Sequence, residues 1–136
     1  MNESYLLDTD IIIYWLKNTF PRINEKIEKL EARCLFISSI TIAELFFGAY
    51  NSSKPKNNLK LINELNSEIN VINFDTKSGN QFGKIKADLK TKGKILNDSD
   101  LFIAATAISN DLILVTNNEK HFQRIGNLKV QNWVNN

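Results

Sequence analysis

The stretch that decides the fold is Tyr5-Leu6-Leu7-Asp8-Thr9-Asp10-Ile11-Ile12-Ile13-Tyr14-Trp15. Its first three residues form a short apolar run, which is typical of a strand buried on both faces in a parallel sheet. An acidic pair ends this run, and apolar residues resume directly after it in a predicted helix, 11–17. Ligands of open α/β sheets bind beyond the carboxyl ends of the strands. The sequence therefore predicts that Asp8 lies at an edge of the sheet where a site can form.

The rest of the chain alternates further predicted strands with predicted helices. The strands are expected at 35–37, 71–74, 112–115 and, as a last edge strand, 130–133. Helices are expected between them, including 22–31, one that begins near Ile40 or Thr41, 59–69 and 77–91. This alternation indicates an α/β fold: three α/β/α layers around a mainly parallel sheet of four to five strands. A chain of 136 residues is expected to form a single domain, 1–136.

Composition and charge exclude several classes of protein. An apolar fraction of 43% and a charged fraction of 24% are ordinary for a globular domain. There is no run of eighteen apolar residues, so we expect no membrane span, and the first residues lack the features of a signal peptide. The single cysteine, Cys34, cannot form an internal disulfide, which fits a reducing cytoplasm. The net charge of +2 is small, but lysines crowd 84–94, which suits either a bound polyanion beside the acidic residues or an ordinary solvated helix face.

Three further acids are expected to reach the edge where Asp8 lies. Glu44 sits in the apolar segment 42–49, where a lone buried carboxylate would be costly unless it is protonated, paired or bound to a metal. Asp100 falls in the first turn of an apolar helix, at the end where carboxylates are favoured. Asp98 either caps that helix, as Ser99 also could, or supplements the site. Strand ends and helix starts share one edge of a parallel sheet, so these acids should converge.

Two residues of this edge are predicted to have supporting roles. Asp10 is placed to cap the helix at 11–17, so helix capping or outer support is favoured over direct metal ligation. Ser39 could cap the helix that contains Glu44, or it could donate a hydrogen bond to a site carboxylate.

Clustered carboxylates need a cation between them. Two carboxylates roughly 5 Å apart repel by about 3 kcal/mol at an effective dielectric constant near 20. Oxygen-only sites suit Mg²⁺ or Mn²⁺, which polarise a phosphodiester and activate a water. The chain has one histidine and no Ser-His-Asp set, so a metal-activated water is the expected nucleophile. His121 is expected to lie at the surface or to contact phosphate.

Four motifs in register resemble those of the PIN-domain ribonucleases. They are Leu6-Leu7-Asp8-Thr9-Asp10, Ile42-Ala43-Glu44-Leu45, Asp100-Leu101-Phe102-Ile103-Ala104-Ala105 and Leu114-Val115-Thr116-Asn117-Asn118. More narrowly, they resemble the VapC-type toxins of bacterial toxin–antitoxin pairs. The segment 121–125 is also similar to the one that follows the last such motif in that family. The likeness extends over almost the whole chain.

The resemblance implies a function and a set of site residues. Asp8, Glu44 and Asp100 would form the acidic metal site, and Thr116 would support it. Asn118 stands where many relatives have a fourth aspartate, so it keeps an oxygen but removes a charge. The family also implies dependence on Mg²⁺ or Mn²⁺, endonucleolytic cleavage of RNA, a homodimer, and a small VapB-like antitoxin that blocks the site in a toxin–antitoxin hetero-oligomer.

Two other functions compete with this one. Asp8-Thr9-Asp10 after a strand is reminiscent of haloacid-dehalogenase-like phosphohydrolases, in which Asp8 would be the nucleophile, but Glu44 then has no explanation. A non-catalytic α/β module that binds RNA or protein is the second alternative. Such a module has no need for carboxylates that repel one another.

Overall fold

The computed structural model describes residues 3–134. Its strands are β1 (Tyr5–Leu7), β2 (Leu35–Ser38), β3 (Asn70–Ile72), β4 (Ile113–Val115) and β5 (Val130–Gln131). Its α-helices are α1 (Thr9–Leu16), α2 (Pro21–Lys29), α3 (Ser39–Tyr50), α4 (Pro55–Glu68), α5 (Thr76–Thr91), α6 (Asp98–Ser109) and α7 (Glu119–Phe122), and a 3-10 turn covers Ala32–Cys34. All five predicted strands are therefore present, although the edge strands β3 and β5 are shorter than predicted.

The strands form one parallel sheet in the order β3-β2-β1-β4-β5. From β1 the chain steps outward through β2 to β3, and it then returns through α5 and α6 to β4 on the other side of β1. The direction of winding reverses between β1 and β4. Ligands of open α/β sheets bind at such a reversal, outside the carboxyl ends of the strands. This edge of the sheet begins at Asp8.

Side chains of alternate residues enter the two hydrophobic layers that cover the sheet. Leu7 belongs to the layer built with α1 to α4, and Leu6 belongs to the layer built with α5, α6 and α7. Both side chains are fully buried, as expected for a central strand in a parallel sheet. The predicted three-layer α/β/α fold is confirmed.

The N-cap residues of the helices around the site lie one or two positions earlier in the chain than the sequence analysis predicted. Asp8, and not Asp10, is the N-cap of α1, and its Oδ1 accepts a hydrogen bond from the Thr9 N–H at 2.8 Å. Asn97, and not Asp98 or Ser99, is the N-cap of α6. Because β1 and α1 are separated by Asp8 alone, no other residue is available to cap α1.

No helix within residues 3–134 is long and apolar enough to cross a membrane. The single cysteine, Cys34, is a buried free thiol.

Candidate functional site

Asp8 is a buried carboxylate held at the carboxyl end of the central strand. Its Oδ2 accepts a hydrogen bond from the Thr116 hydroxyl at 2.8 Å, while Oδ1 caps α1. Burial first, and then the charges of Asp10 and Asp100, together raise the pKa of Asp8 to about 7, against the opposing hydrogen bonds from Thr116 and Thr9. The free protein therefore holds this carboxylate in a place where its charge is poorly tolerated.

Asp10 lies in the first turn of α1 and faces the loop after β4. Its Oδ2 accepts from the backbone N–H of Asn117 at 3.0 Å, and its Oδ1 accepts from the Ile11 N–H at 2.7 Å. Burial raises the pKa of Asp10, and the charge of Asp100 adds to the rise, although both N–H groups oppose it. The prediction that Asp10 caps the helix was wrong. Asp10 instead belongs electrostatically to the same acidic group as Asp8 and Asp100.

Asp100 is presented by the first turn of α6 and is half-buried. The cap residue Asn97 accepts from the Asp100 N–H at 2.8 Å, and its side-chain amide donates to Asp100 Oδ2 at 3.1 Å. Burial raises the pKa of Asp100, and the nearby Glu44 charge also raises it, whereas His121 and Asn97 lower it. His121 Nδ1 lies 3.9 Å from Asp100 Oδ2.

Glu44 is exposed, which corrects the expectation that its apolar neighbours bury it. Its helix α3 turns other residues, among them Leu45 and Ala49, toward the core and leaves Phe47 70% exposed on the outer side. Two hydroxyls hold the Glu44 carboxylate: Thr9 Oγ1 donates to Oε1 at 2.8 Å and Ser99 Oγ donates to Oε2 at 2.9 Å. Neither hydroxyl was predicted to contact this side chain.

Asn118 and Thr116 form the corner that follows β4. The Thr116 hydroxyl accepts from the Asn118 backbone N–H at 3.0 Å while it donates to Asp8. The side-chain amide nitrogen of Asn118 lies 2.8 Å from His121 Nδ1, so this amide is engaged with the imidazole. Thr116 thus links the loop after β4 to Asp8 at the end of β1.

Two predicted residues have other partners. Ser39 neither caps α3 nor contacts a site carboxylate, because Ser38 is the N-cap and the Ser39 hydroxyl accepts from the Phe74 N–H at 3.1 Å. Asp98 is exposed and forms an ion pair with Lys86 at 2.9 Å. The structure therefore places four carboxylates close enough to interact electrostatically: Asp8, Asp10, Asp100 and Glu44. The Asp98 carboxylate instead pairs with Lys86.

The donor chemistry of this group fits a hard divalent cation. Carboxylate oxygens are the ligands that Mg²⁺ and Mn²⁺ prefer. Burial raises the pKa of all three aspartates, and a neighbouring carboxylate charge adds to each rise, so a cation among them would remove part of this cost. As arranged, no set of three His, Cys, Asp or Glu side chains within residues 3–134 converges closely enough to hold an ion. The carboxylates fit such an ion by the type of their ligand atoms.

Comparison with known proteins assigns the chain to a family. The model of the PIN domain matches residues 5–128, which include all the acids described above. The chain belongs to the PIN-domain family. The family and the fold predicted from the sequence are both confirmed.

Relatives of this PIN-domain protein match it over nearly their whole length. It is 39% identical over 130 residues to ribonuclease VapC2 of Haemophilus influenzae, covering 96% of this chain and 98% of that protein. It is 36% identical over 129 residues to the tRNA(fMet)-specific endonuclease VapC of Shigella flexneri, covering 95% and 97% of the two chains. A crystal structure of DNA-bound VapBC from Salmonella typhimurium superposes with a TM-score of 0.91 at 35% identity, covering 97% and 99%.

Proposed function

We propose that this PIN-domain protein is a metal-dependent endoribonuclease that acts as the toxin of a toxin–antitoxin pair. The observation that carries the proposal is the group of mutually repelling carboxylates, Asp8, Asp10, Asp100 and Glu44, at the carboxyl edge of the sheet in a chain of this family. The endoribonuclease class and the VapB-like antitoxin partner predicted from the sequence agree with the relatives, which are VapC nucleases and VapBC complexes.

The four acids would hold Mg²⁺ or Mn²⁺ through oxygen atoms alone. A bound ion would supply Lewis-acid polarisation of the phosphodiester and would lower the pKa of a water. Thr116 orients Asp8 for this task by its bond to Oδ2, and Asn97 orients Asp100 in the same way. We assign Asn118 to support through His121, and Asp98 to the surface ion pair with Lys86.

The two competing functions receive less support. The haloacid-dehalogenase-like alternative left Glu44 unexplained, whereas in a PIN-domain protein Glu44 belongs to the acidic group. A trapped phosphate ester on Asp8 would favour that alternative. The non-catalytic alternative predicts that RNA binds and stays intact, so the cleavage assay separates it from the proposal.

The test compares two aspartate-to-asparagine variants, one inside the proposed site and one far from it. Asp8→Asn keeps the shape and one acceptor for the helix cap, and we expect it to lower Mg²⁺-dependent cleavage of end-labelled RNA by more than about 100-fold, because a charged ligand is lost. Asp111→Asn is the matched control, since its side chain is 93% exposed at the opposite edge of the sheet. EDTA should abolish cleavage by the wild type. Undiminished cleavage by pure Asp8→Asn protein would show that the proposed site is wrong.

Substrate and assembly extend the same proposal. Transfer RNA is the first substrate to test, because the Shigella flexneri relative is a tRNA(fMet)-specific endonuclease. We also propose a homodimer and a cytoplasmic location, both of which follow the family resemblance. Light scattering of the purified chain at micromolar concentration should give twice the monomer mass, and a monomer there would remove the homodimer from the proposal.

A further inference from the structure

Glu44 is the longest of the four acidic side chains, and it is exposed, so it has the most rotamer freedom to lose on binding an ion. The two short aspartates at the start of α1 are oriented by the backbone, because Asp8 Oδ1 accepts from the Thr9 N–H and Asp10 Oδ1 accepts from the Ile11 N–H. A glutamate in the middle of a helix has no such support from its own backbone. Its orientation must come from other side chains.

Two hydroxyls supply that orientation from opposite sides. Thr9 Oγ1 lies 2.8 Å from Glu44 Oε1, and Ser99 Oγ lies 2.9 Å from Oε2. Thr9 Oγ1 also lies 3.1 Å from the hydroxyl of Thr41, which is fully buried. A hydroxyl has one hydrogen, so if Thr9 donates to the charged carboxylate, Thr41 is free to donate to Thr9. The chain of hydroxyls then starts in the core and ends on Glu44.

The positions of these hydroxyls in the sequence are informative. Thr9 directly follows Asp8, and Ser99 directly precedes Asp100. Each hydroxyl therefore belongs to the same helix turn as one of the aspartates. The two hydrogen bonds thus fix the position of the Glu44 carboxylate relative to both aspartates. A carboxylate oxygen has two lone pairs, so each oxygen that accepts one hydroxyl keeps a second site for a ligand.

We propose that Thr9 and Ser99 are positioning residues that hold the Glu44 carboxylate at a set place relative to Asp8 and Asp100 for metal binding. This inference rests on the proposed metal-dependent function and names how one ligand of that site is oriented. Groups that orient metal ligands typically contribute 10- to 100-fold in metal affinity. Because Glu44 is exposed, we expect the lower end of that range.

The experiment measures Mn²⁺ affinity of the metal-free protein from the amplitude of the free-ion electron paramagnetic resonance signal. We expect Ser99→Ala and Thr9→Val each to raise the Kd by about tenfold. Ser99→Thr and Thr9→Ser keep the hydroxyl and should bind as the wild type does. The matched control is Ser67→Ala on α4, whose hydroxyl donates only to the carbonyl of Glu64 in its own helix.

A double-mutant cycle separates positioning from general loss of structure. In a Glu44→Ala background, Ser99→Ala should change the Kd no further, because the carboxylate that it orients is absent. Thermal denaturation in EDTA identifies variants that are merely destabilised. The inference is overturned if wild type and Ser99→Ala bind Mn²⁺ equally, or if Ser99→Ala has its full effect without Glu44. A wild type that binds no Mn²⁺ would overturn the metal site itself together with the inference.

Discussion

Asp8 has three roles at one position in the chain. It directly follows β1, it caps α1, and its Oδ2 accepts a hydrogen bond from the hydroxyl of Thr116, which directly follows the neighbouring strand β4. These bonds fix a carboxylate in a buried place, and the cost of its charge appears as a pKa of about 7. We therefore expect the free energy of unfolding of the metal-free protein to depend on pH in part through Asp8.

The sign of that dependence follows from the raised pKa. Between about pH 4 and 7 the unfolded chain releases the Asp8 proton while the folded protein retains it, so this residue lowers stability as pH rises. The full effect is at most about 4 kcal/mol. We expect Asp8→Asn to gain stability relative to the wild type across this window, measured by urea unfolding in EDTA. A constant difference between the two proteins from pH 4 to 8 would contradict this, and Asp111→Asn is the control.

At the residue scale, sequence reasoning found the acids but not their environments. Asp8, Glu44 and Asp100 stood out because carboxylates are unusual at those points of an apolar pattern. The exposure of Glu44 was missed because its apolar neighbours Phe47 and Tyr50 are themselves 70% and 68% exposed. Thr9 and Ser99 were missed because a hydroxyl gives no signal by itself. Their place beside an aspartate was the signal available.

Two of the strands at the site are joined to the helices that follow them by connections of at most one residue. β1 and α1 are separated only by Asp8, and α3 begins directly after β2. In each case the cap lies before the residue that the sequence suggested, because several capping residues stand side by side in Asp8-Thr9-Asp10, Ser38-Ser39 and Asn97-Asp98-Ser99. Pattern alone does not set which of them ends the extended backbone.

The cap of α6 should contribute to both stability and the site. Asn97→Ala removes the acceptor for the Asp100 N–H and the donor to its carboxylate, and we expect it to lower the free energy of unfolding by about 1 kcal/mol. Asn97→Ser keeps a cap and should recover most of that stability. Urea denaturation of the three proteins checks this. If Asn97→Ser is as unstable as Asn97→Ala, the contribution does not come from capping.

The buried face of helix α6 includes several small residues. Ala104, Ala105 and Ala107 are all fully buried. We expect Ala104→Leu to lower the free energy of unfolding by about 1–3 kcal/mol, because a close-packed core has no room for the added methyl groups. Ala87→Leu, on the exposed side of α5, is the matched control and should be nearly neutral. Equal stabilities in urea would show that the core accommodates the larger side chain.

At the scale of the whole molecule, the alternation of strands and helices predicted the layers correctly. The order β3-β2-β1-β4-β5 was not predicted, because a sequence of strands does not state on which side the chain returns. That return creates the site: it brings Thr116 next to Asp8 and places α6 beside α3. Asp8, Glu44 and Asp100 could therefore be predicted to lie at one edge of the sheet, whereas the places of Asp10 and Asp98 and the contacts of the acids could not.

The bond between Thr116 and Asp8 joins residues 108 positions apart in the chain. During translation, the first strand leaves the ribosome long before the strand that completes its surroundings. We therefore expect the nascent chain to lack nuclease activity until Thr116 has left the ribosome, because Asp8 has no hydroxyl partner before then. We expect cell-free translation stopped before residue 112 to yield no metal-dependent RNA cleavage, in contrast to the full chain. On this expectation, the catalytic edge of the sheet is incomplete for most of the time that the chain takes to be made.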